Sequence, residues 1–234
     1  EYPTRITEIA RDHATAEVGA RAEPAIESPL HSTLLQAGGK ALIVRQIERL
    51  RAAGIRRLVI NVAWQGERIE RALGDGTDLG VAIRYSREPD GALETSGEIS
   101  SALPMLGNDP FVVISSDIHC DFPIARLVDR EPAESAHLVL VDNPPHHPAG
   151  DFALARGRVV ARGAPRLTYS GIGLFRAEMF AQLAPGRRAL RPVLDESIAA
   201  GRVSGEHHAG AWLDVGTPER LAELDRLLAA RASR

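Results

Sequence analysis

From Lys40 to Ser116 helical and strand patterns alternate at short intervals, which restricts the chain to folds built from βαβ units around a mostly parallel sheet. Ile43, Ile47 and Leu50 recur at helical spacing over residues 40–53, and Gly54 supplies the stop. Arg57-Leu-Val-Ile-Asn61 is a continuous apolar run of the kind a strand buried on both faces shows. The pattern predicts a second helix over 65–73 closed by Gly74, a strand over 81–85, a helix over 97–106 and a strand over 111–116.

The second half has a different rhythm. Residues 136–141 read as a strand, 152–161 as a hairpin around Arg156-Gly157, and 167–175 as a further strand. Helices over 176–184 and 190–200 follow, then a hairpin turning at Ala209-Gly210 and a last helix from Thr217. Residues 1–37 carry no clear period. The expected fold is α/β and Rossmann-like, a single domain over 1–234 with no internal repeat or linker. Its parallel half covers about residues 1–135 and a mixed half about 136–234.

Charge and cysteine usage narrow the function. A formal net charge of −3 argues against a duplex nucleic-acid partner, which calls for a basic face. The only cysteine, Cys120, excludes an intramolecular disulfide and suits a reducing compartment. No apolar run approaches the roughly 18 residues that span a bilayer, and the start shows no signal-peptide pattern. The expected setting is the cytoplasm.

Two aspartates mark the candidate chemistry. Asp117 closes Phe111-Val-Val-Ile-Ser-Ser, and Asp214 closes Ala211-Trp-Leu. In an open α/β sheet, ligands bind beyond the carboxyl ends of the strands, and carboxylates delivered there suit a divalent cation held against phosphates. Each could equally cap a following helix, as Thr217-Pro-Glu-Arg also suggests. Two histidine pairs, His146-His147 and His207-His208, invite a zinc reading. Adjacent loop histidines diverge, however, and no cysteine or third histidine is spaced in sequence to complete such a site.

Five segments, taken together and in order, resemble the sugar-1-phosphate nucleotidyltransferases. They are Asn61-Val-Ala-Trp64, Leu93-Glu-Thr95, Asp142-Asn-Pro-Pro-His-His-Pro-Ala-Gly-Asp-Phe152, Tyr169-Ser-Gly-Ile172 and Trp212-Leu-Asp-Val-Gly-Thr217. The likeness runs from about Leu34 to Leu228 and leans toward the short bacterial branch that makes UDP-N-acetylmuramate from N-acetylmuramate 1-phosphate and UTP in peptidoglycan recycling. It implies a transferase in which a sugar 1-phosphate attacks a nucleoside triphosphate and pyrophosphate leaves. Asp117 and Asp214 match the family's magnesium ligands, so Mg2+ is the implied cofactor. Gly19, Arg21, Asn61, Trp64, Glu94, Thr95 and Gly97 fall to the nucleotide, with amides at the start of helix 97–106 available to a base edge or a negative group. Trp64 could instead be core, and Thr95 only a helix cap. His146, His147, Asp151, Gly171 and Glu206 fall to the sugar. The longer relatives' β-helix pattern does not appear, which implies a monomer or dimer.

The chain also departs from the family. The glycine-rich phosphate loop and its Pro-Lys pair are not found; Pro29-Leu-His31-Ser32-Thr33 precedes Leu34-Leu35, with Ser32 at the lysine's place. Gly19-Ala-Arg21 is the nearest remnant of the loop. Ser116 stands where relatives carry glycine before the aspartate, and Ser96-Gly97-Glu98 replaces a glycine run. Glu98 brings a carboxylate toward a face meant for phosphate. Two alternatives to an active transferase therefore stay open. One is a relative that binds sugar phosphate or a partner without turnover. The other is a metal-dependent glycosyltransferase, although Asp117-Ile-His119 does not supply that class's Asp-x-Asp pair and Asp121 is four residues on.

Overall fold

In the computed structural model, residues 15–19, 34–62, 66–87, 93–130 and 134–232 are described, with 15–19 and 231–232 described by their backbone. One nine-stranded sheet organises them. Its order is β5 (Ala82–Arg87), β4 (Arg57–Val62), β1 (Thr15–Gly19), β6 (Phe111–Ser115), β11 (Arg166–Phe175), β8 (Ala136–Val141), β12 (Val203–His208), β10 (Arg158–Val160) and β9 (Phe152–Ala155). β5, β4, β1 and β6 are parallel, as the βαβ rhythm requires. β11 then runs antiparallel to both β6 and β8, and β9 pairs back onto β11, so the second half is mixed and curled.

Alternation along the strands sorts side chains between two faces. Leu58, Ile60, Val112 and Ile114 join a core under α1 (Leu42–Ala52), α2 (Gly66–Leu73) and α4 (Ala125–Val128). Val59, Val113, Leu138 and Leu140 join the opposite core under α3 (Thr95–Leu106) and α5 (Leu190–Ala199). A third, smaller cluster of Ala37, Leu42, Val215 and Leu224 seats α6 (Pro218–Ala232) beside a short hairpin, β2 (Gln36–Ala37) and β3 (Lys40–Ala41).

Several expectations change. Thr15–Gly19 lies in the middle of the sheet, although residues 1–37 show no period; parallel pairing with β4 and β6 on both edges satisfies its backbone whatever the side-chain pattern. The helix expected over 176–184 is a single 3-10 turn, Ala177–Met179. There Phe180 packs against Phe111 and Phe175, with ring centroids 6.2 and 5.8 Å apart, and Pro185-Gly186 follows. The hairpin at Ala209-Gly210 does not form: β12 pairs with β8 and β10, whereas β13 (Trp212–Asp214) pairs antiparallel with β7 (Ile118–Cys120). The hairpin at Arg156-Gly157 does form, with both residues at positive φ (50° and 76°) as a two-residue turn of this hand demands.

Candidate active site

The two aspartates converge because β7 leaves the main sheet. Asp117 lies in the turn joining β6 to β7, and β7 then forms a ribbon with β13 in which Asp214 stands opposite Ile118. The Val215 amide donates to the Asp117 carbonyl at 2.7 Å, locking the two strand ends side by side. Neither aspartate caps a helix. Thr217 takes that role for α6, its hydroxyl oxygen accepting the Arg220 amide at 3.3 Å. Asp214 instead folds back on its own loop, with Oδ1 accepting the Gly216 amide at 3.1 Å. The same carboxylate receives the Arg220 guanidinium, and Oδ2 lies 2.8 Å from His146 Nε2.

Both aspartates line a cleft of about 790 Å³ at the carboxyl edge of the sheet. His146, His147, Asp151 and Gly171 line it too, on the side built by β9, β11 and the 142–151 loop. That loop is held firmly. Asn143 Nδ2 donates to the Pro148 and Arg166 carbonyls, each at 3.1 Å, and Thr168 donates to Asn143 Oδ1 at 2.9 Å. The Asp151 carboxylate spans two partners, His147 Nε2 at 3.2 Å and the Tyr169 amide at 2.8 Å. Gly171 has φ 78°, and a Cβ there would sit 2.8 Å from Ser115 Oγ, so only glycine leaves room for the Ser115 side chain at the cleft floor. Trp212 donates its indole N–H to the Ser170 carbonyl at 3.0 Å and closes the wall.

Glu94, Thr95 and Glu98 line the opposite side. Thr95 is the first residue of α3 rather than its cap; Glu94 holds the cap position at φ 57° without a side-chain bond to the helix. The amides of Ser96 and Gly97 are already used: both donate to the Arg188 carbonyl, at 3.0 and 3.2 Å. Gly97 is a packing glycine, since a Cβ would lie 2.5 Å from the Gly186 carbonyl oxygen. The expectation that these amides await a base or a phosphate is therefore corrected, because the 186–188 segment crosses the helix start and takes them. Cationic groups supply positive charge instead: Arg187, Arg191 and Arg220 all line the cleft, with Arg187 paired to Glu94 at 2.7 Å and Arg191 above the Phe152 ring at 4.5 Å.

Within residues 26–158 the chain matches the model of the nucleotidyl transferase family. It belongs to that family. An N-acetylmuramate alpha-1-phosphate uridylyltransferase of Neisseria meningitidis serogroup B is 48% identical over 205 residues, covering 84% of this chain and 89% of the relative. A second protein of that name, from Caulobacter vibrioides, is 31% identical over 231 residues, 92% of this chain and 95% of its own. Among solved structures, an inositol-1-phosphate CTP transferase from T. maritima superposes with a TM-score of 0.78 at 15% identity, over 92% of this chain and 94% of its own. That likeness shows the shared nucleotidyltransferase fold.

Other family positions fall outside the cleft lining. Glu206 leaves the sugar wall: on β12, its carboxylate is held by Arg126, by Arg130 at 3.8 Å and by His137 Nε2 at 3.2 Å. Asn61 is buried on β4, in register with Gly19, which on its other edge faces Ser115. Arg21, Ser32 and Trp64 lie outside the described residues. The arginines were missed by sequence reading, yet one signal existed. Arg220 lies in the first turn of α6, where the helix dipole disfavours a cation unless a carboxylate answers it.

Proposed function

We propose that this family member transfers a uridylyl group from UTP to a sugar 1-phosphate, N-acetylmuramate 1-phosphate, giving the UDP-sugar and pyrophosphate in cell-wall recycling. The observation that carries the reading is the meeting of Asp117 and Asp214 in one cleft with Arg187, Arg191 and Arg220. The names of the Neisseria and Caulobacter relatives support the choice of base and sugar. In the reaction a phosphate oxygen of the sugar 1-phosphate attacks the α-phosphorus of UTP. The bond from that phosphorus to the bridging oxygen breaks, and the electron pair leaves with pyrophosphate.

Asp117 and Asp214 offer hard carboxylate oxygens, the donor type that magnesium prefers, and Asp214 already collects two cationic or proton-bearing partners, Arg220 and His146. The pair would hold Mg2+, which supplies charge neutralisation between the two phosphate groups. The protein's own part is placement. Asp151, fixed from two sides, is poised to accept a sugar hydroxyl with His147 beside it. Arg187 and Arg191 approach from the α5 side, where negative charge on the leaving pyrophosphate needs an answer. The nucleotide half is assigned to about residues 1–135 and the sugar half to about 136–234. The cytoplasm is the proposed setting; no helix among the described residues is long and apolar enough to cross a membrane.

The test is pyrophosphate release measured across the nucleoside triphosphates with N-acetylmuramate 1-phosphate and with hexose 1-phosphates. UTP with N-acetylmuramate 1-phosphate is expected to lead by kcat/KM. A second reading, binding without turnover, is favoured by one observation: Ser96 and Gly97 amides are occupied by Arg188. Saturable sugar-phosphate binding with no pyrophosphate from any triphosphate would select it.

A further inference from the structure

Away from the cleft, the fold brings together three donors that the sequence keeps apart. The Cys120 sulfur, a carboxylate oxygen of Asp121 and an imidazole nitrogen of His208 all lie within 4.8 Å of one another. We propose that these three side chains bind a zinc-class transition-metal ion at a site distinct from Asp117 and Asp214.

The placement follows from the ribbon. Cys120 ends β7 opposite Trp212, the Asp121 amide donates to the Ala211 carbonyl at 3.0 Å, and His208 ends β12. The connection 209–211 must therefore wrap closely over the cluster. Gly210 allows this: a Cβ there would stand 2.4 Å from both Asp121 Oδ1 and His208 Nε2. The imidazole is steadied by the edge-to-face ring of Phe122, with centroids 5.4 Å apart. Cys120 is buried, His208 is 15% exposed and Asp121 41%, so the sulfur forms the inner wall and solvent reaches the outer side. Such a site offers three protein ligands and leaves a fourth position to water.

The donor set selects the metal. One sulfur, one imidazole nitrogen and one carboxylate oxygen suit zinc or cobalt and suit magnesium poorly. Metal–ligand bonds of about 2.0–2.3 Å place ligand atoms roughly 3.5 Å apart in a tetrahedron. His208 Nε2 and Asp121 Oδ1 are now 2.7 Å apart, joined through a proton, and need to part by less than about 1 Å. On binding, the ion takes the place of that proton, the neutral His208 imidazole then carrying its N–H on Nδ1 by exchange through solvent, and the Cys120 thiol releases its own proton to solvent. Thiolate and carboxylate together then balance the dication. Burial raises the Cys120 thiol above its ordinary range, with the Phe122 backbone and the Arg49 guanidinium acting the other way, so it is the ion that draws off the thiol proton.

The consequence is mechanical. Asp117 immediately precedes β7 and Asp214 ends β13, so the ribbon presents both aspartates at one end and the three-donor cluster at the other. An ion there ties β12 to the ribbon and fixes the end that the cleft does not hold. This inference is independent of which sugar or base the protein uses.

Chelator-treated full-length protein titrated with Co2+ tests it. The expected result is one equivalent bound with a thiolate-to-cobalt charge-transfer band, displaced by Zn2+, and a higher unfolding midpoint with either metal. Cys120→Ser should abolish the band, and His208→Gln should weaken zinc binding at least about tenfold. Asp117→Asn should leave the band intact. Folded wild-type protein that shows no thiolate band at excess Co2+ overturns the site, as does a band that survives Cys120→Ser or disappears in Asp117→Asn.

Discussion

Asp214 is heavily committed in the cleft, holding Gly216, His146 and Arg220 at once. Its neighbour across the ribbon, Asp117, is tied through its backbone carbonyl. Because both are placed by main-chain pairing, Asp117→Asn and Asp214→Asn should retain the fold and lower kcat/KM for pyrophosphate release by at least about a hundredfold, the order expected when one preorganised charge is removed. Near-native rates in either variant, with far-UV circular dichroism unchanged, would remove the residue from the reaction. Ser116 raises a different question. Its fully buried hydroxyl meets no hydrogen-bond partner among the described residues. An unsatisfied buried hydroxyl costs about 1–3 kcal/mol, so Ser116→Ala should raise the unfolding free energy by about 1 kcal/mol in urea titrations. Ser96 Oγ is in the same position on α3.

At the level of elements, the cleft depends on pieces too small to stand alone. β7 and β13 have three residues each and belong to a two-stranded sheet of their own. An isolated hairpin of that size is marginal in water, so α6 must brace it. Leu224, fully buried beside Val215, Ala37 and Leu42, is the contact that does so. Leu224→Ala should cost roughly 2–5 kcal/mol of stability. It should also raise KM for the sugar 1-phosphate through loss of Arg220 placement, measurable on whatever fraction remains folded. Little change in either quantity would show that β7 pairing alone holds β13. These short strands explain much of what sequence reading missed. A three-residue strand has no legible period, and its partner is chosen by geometry elsewhere in the chain. The long elements behave differently: the helix over 40–53, the strand over 57–61 and the strand over 136–141 carry enough apolar positions for burial to follow their spacing.

For the molecule as a whole, the mixed half is held partly by a polar cluster in its sheet. His137 on β8 bonds through Nδ1 to Ser204 at 2.8 Å and through Nε2 to Glu206, both on β12, with Arg126 and Arg130 outside them. Burial, reinforced by the charges of Arg130 and Arg126, lowers the His137 imidazole below its usual range, although Glu206 acts in the opposite direction. The folded protein thus binds fewer protons than the unfolded chain between that lowered value and the ordinary imidazole value near about 6.5. Stability from this group is complete above the unfolded value and is lost as pH falls through the window beneath it. Urea midpoints taken from pH 8 to pH 5 should fall more steeply for the wild type than for His137→Gln. Parallel curves would contradict the assignment. The same cluster accounts for the misplacement of Glu206. Immediately before the His207-His208 pair, it resembles a cleft residue in sequence, but strand register pairs it with Val139 and gives its carboxylate to His137.

Local spacing by itself determined strands β4, β5 and β6 of the parallel half, the Arg156-Gly157 hairpin and the family motifs, because burial periodicity and positive-φ turns are properties of neighbouring residues. Spacing also marked Asp117 and Asp214 as strand-end carboxylates while leaving open whether each was a cap. Only the tertiary structure decided that question, through a β7–β13 pairing that joins two distant segments by main-chain hydrogen bonds and carries no signature in either segment alone. The same pairing gathered Arg220, His146 and Asp214 and set Cys120 beside His208, while the 186–188 segment took up the α3 amides. Alternation of helix and strand constrained the fold; where the chain leaves that alternation, at one short ribbon, the chemistry is assembled.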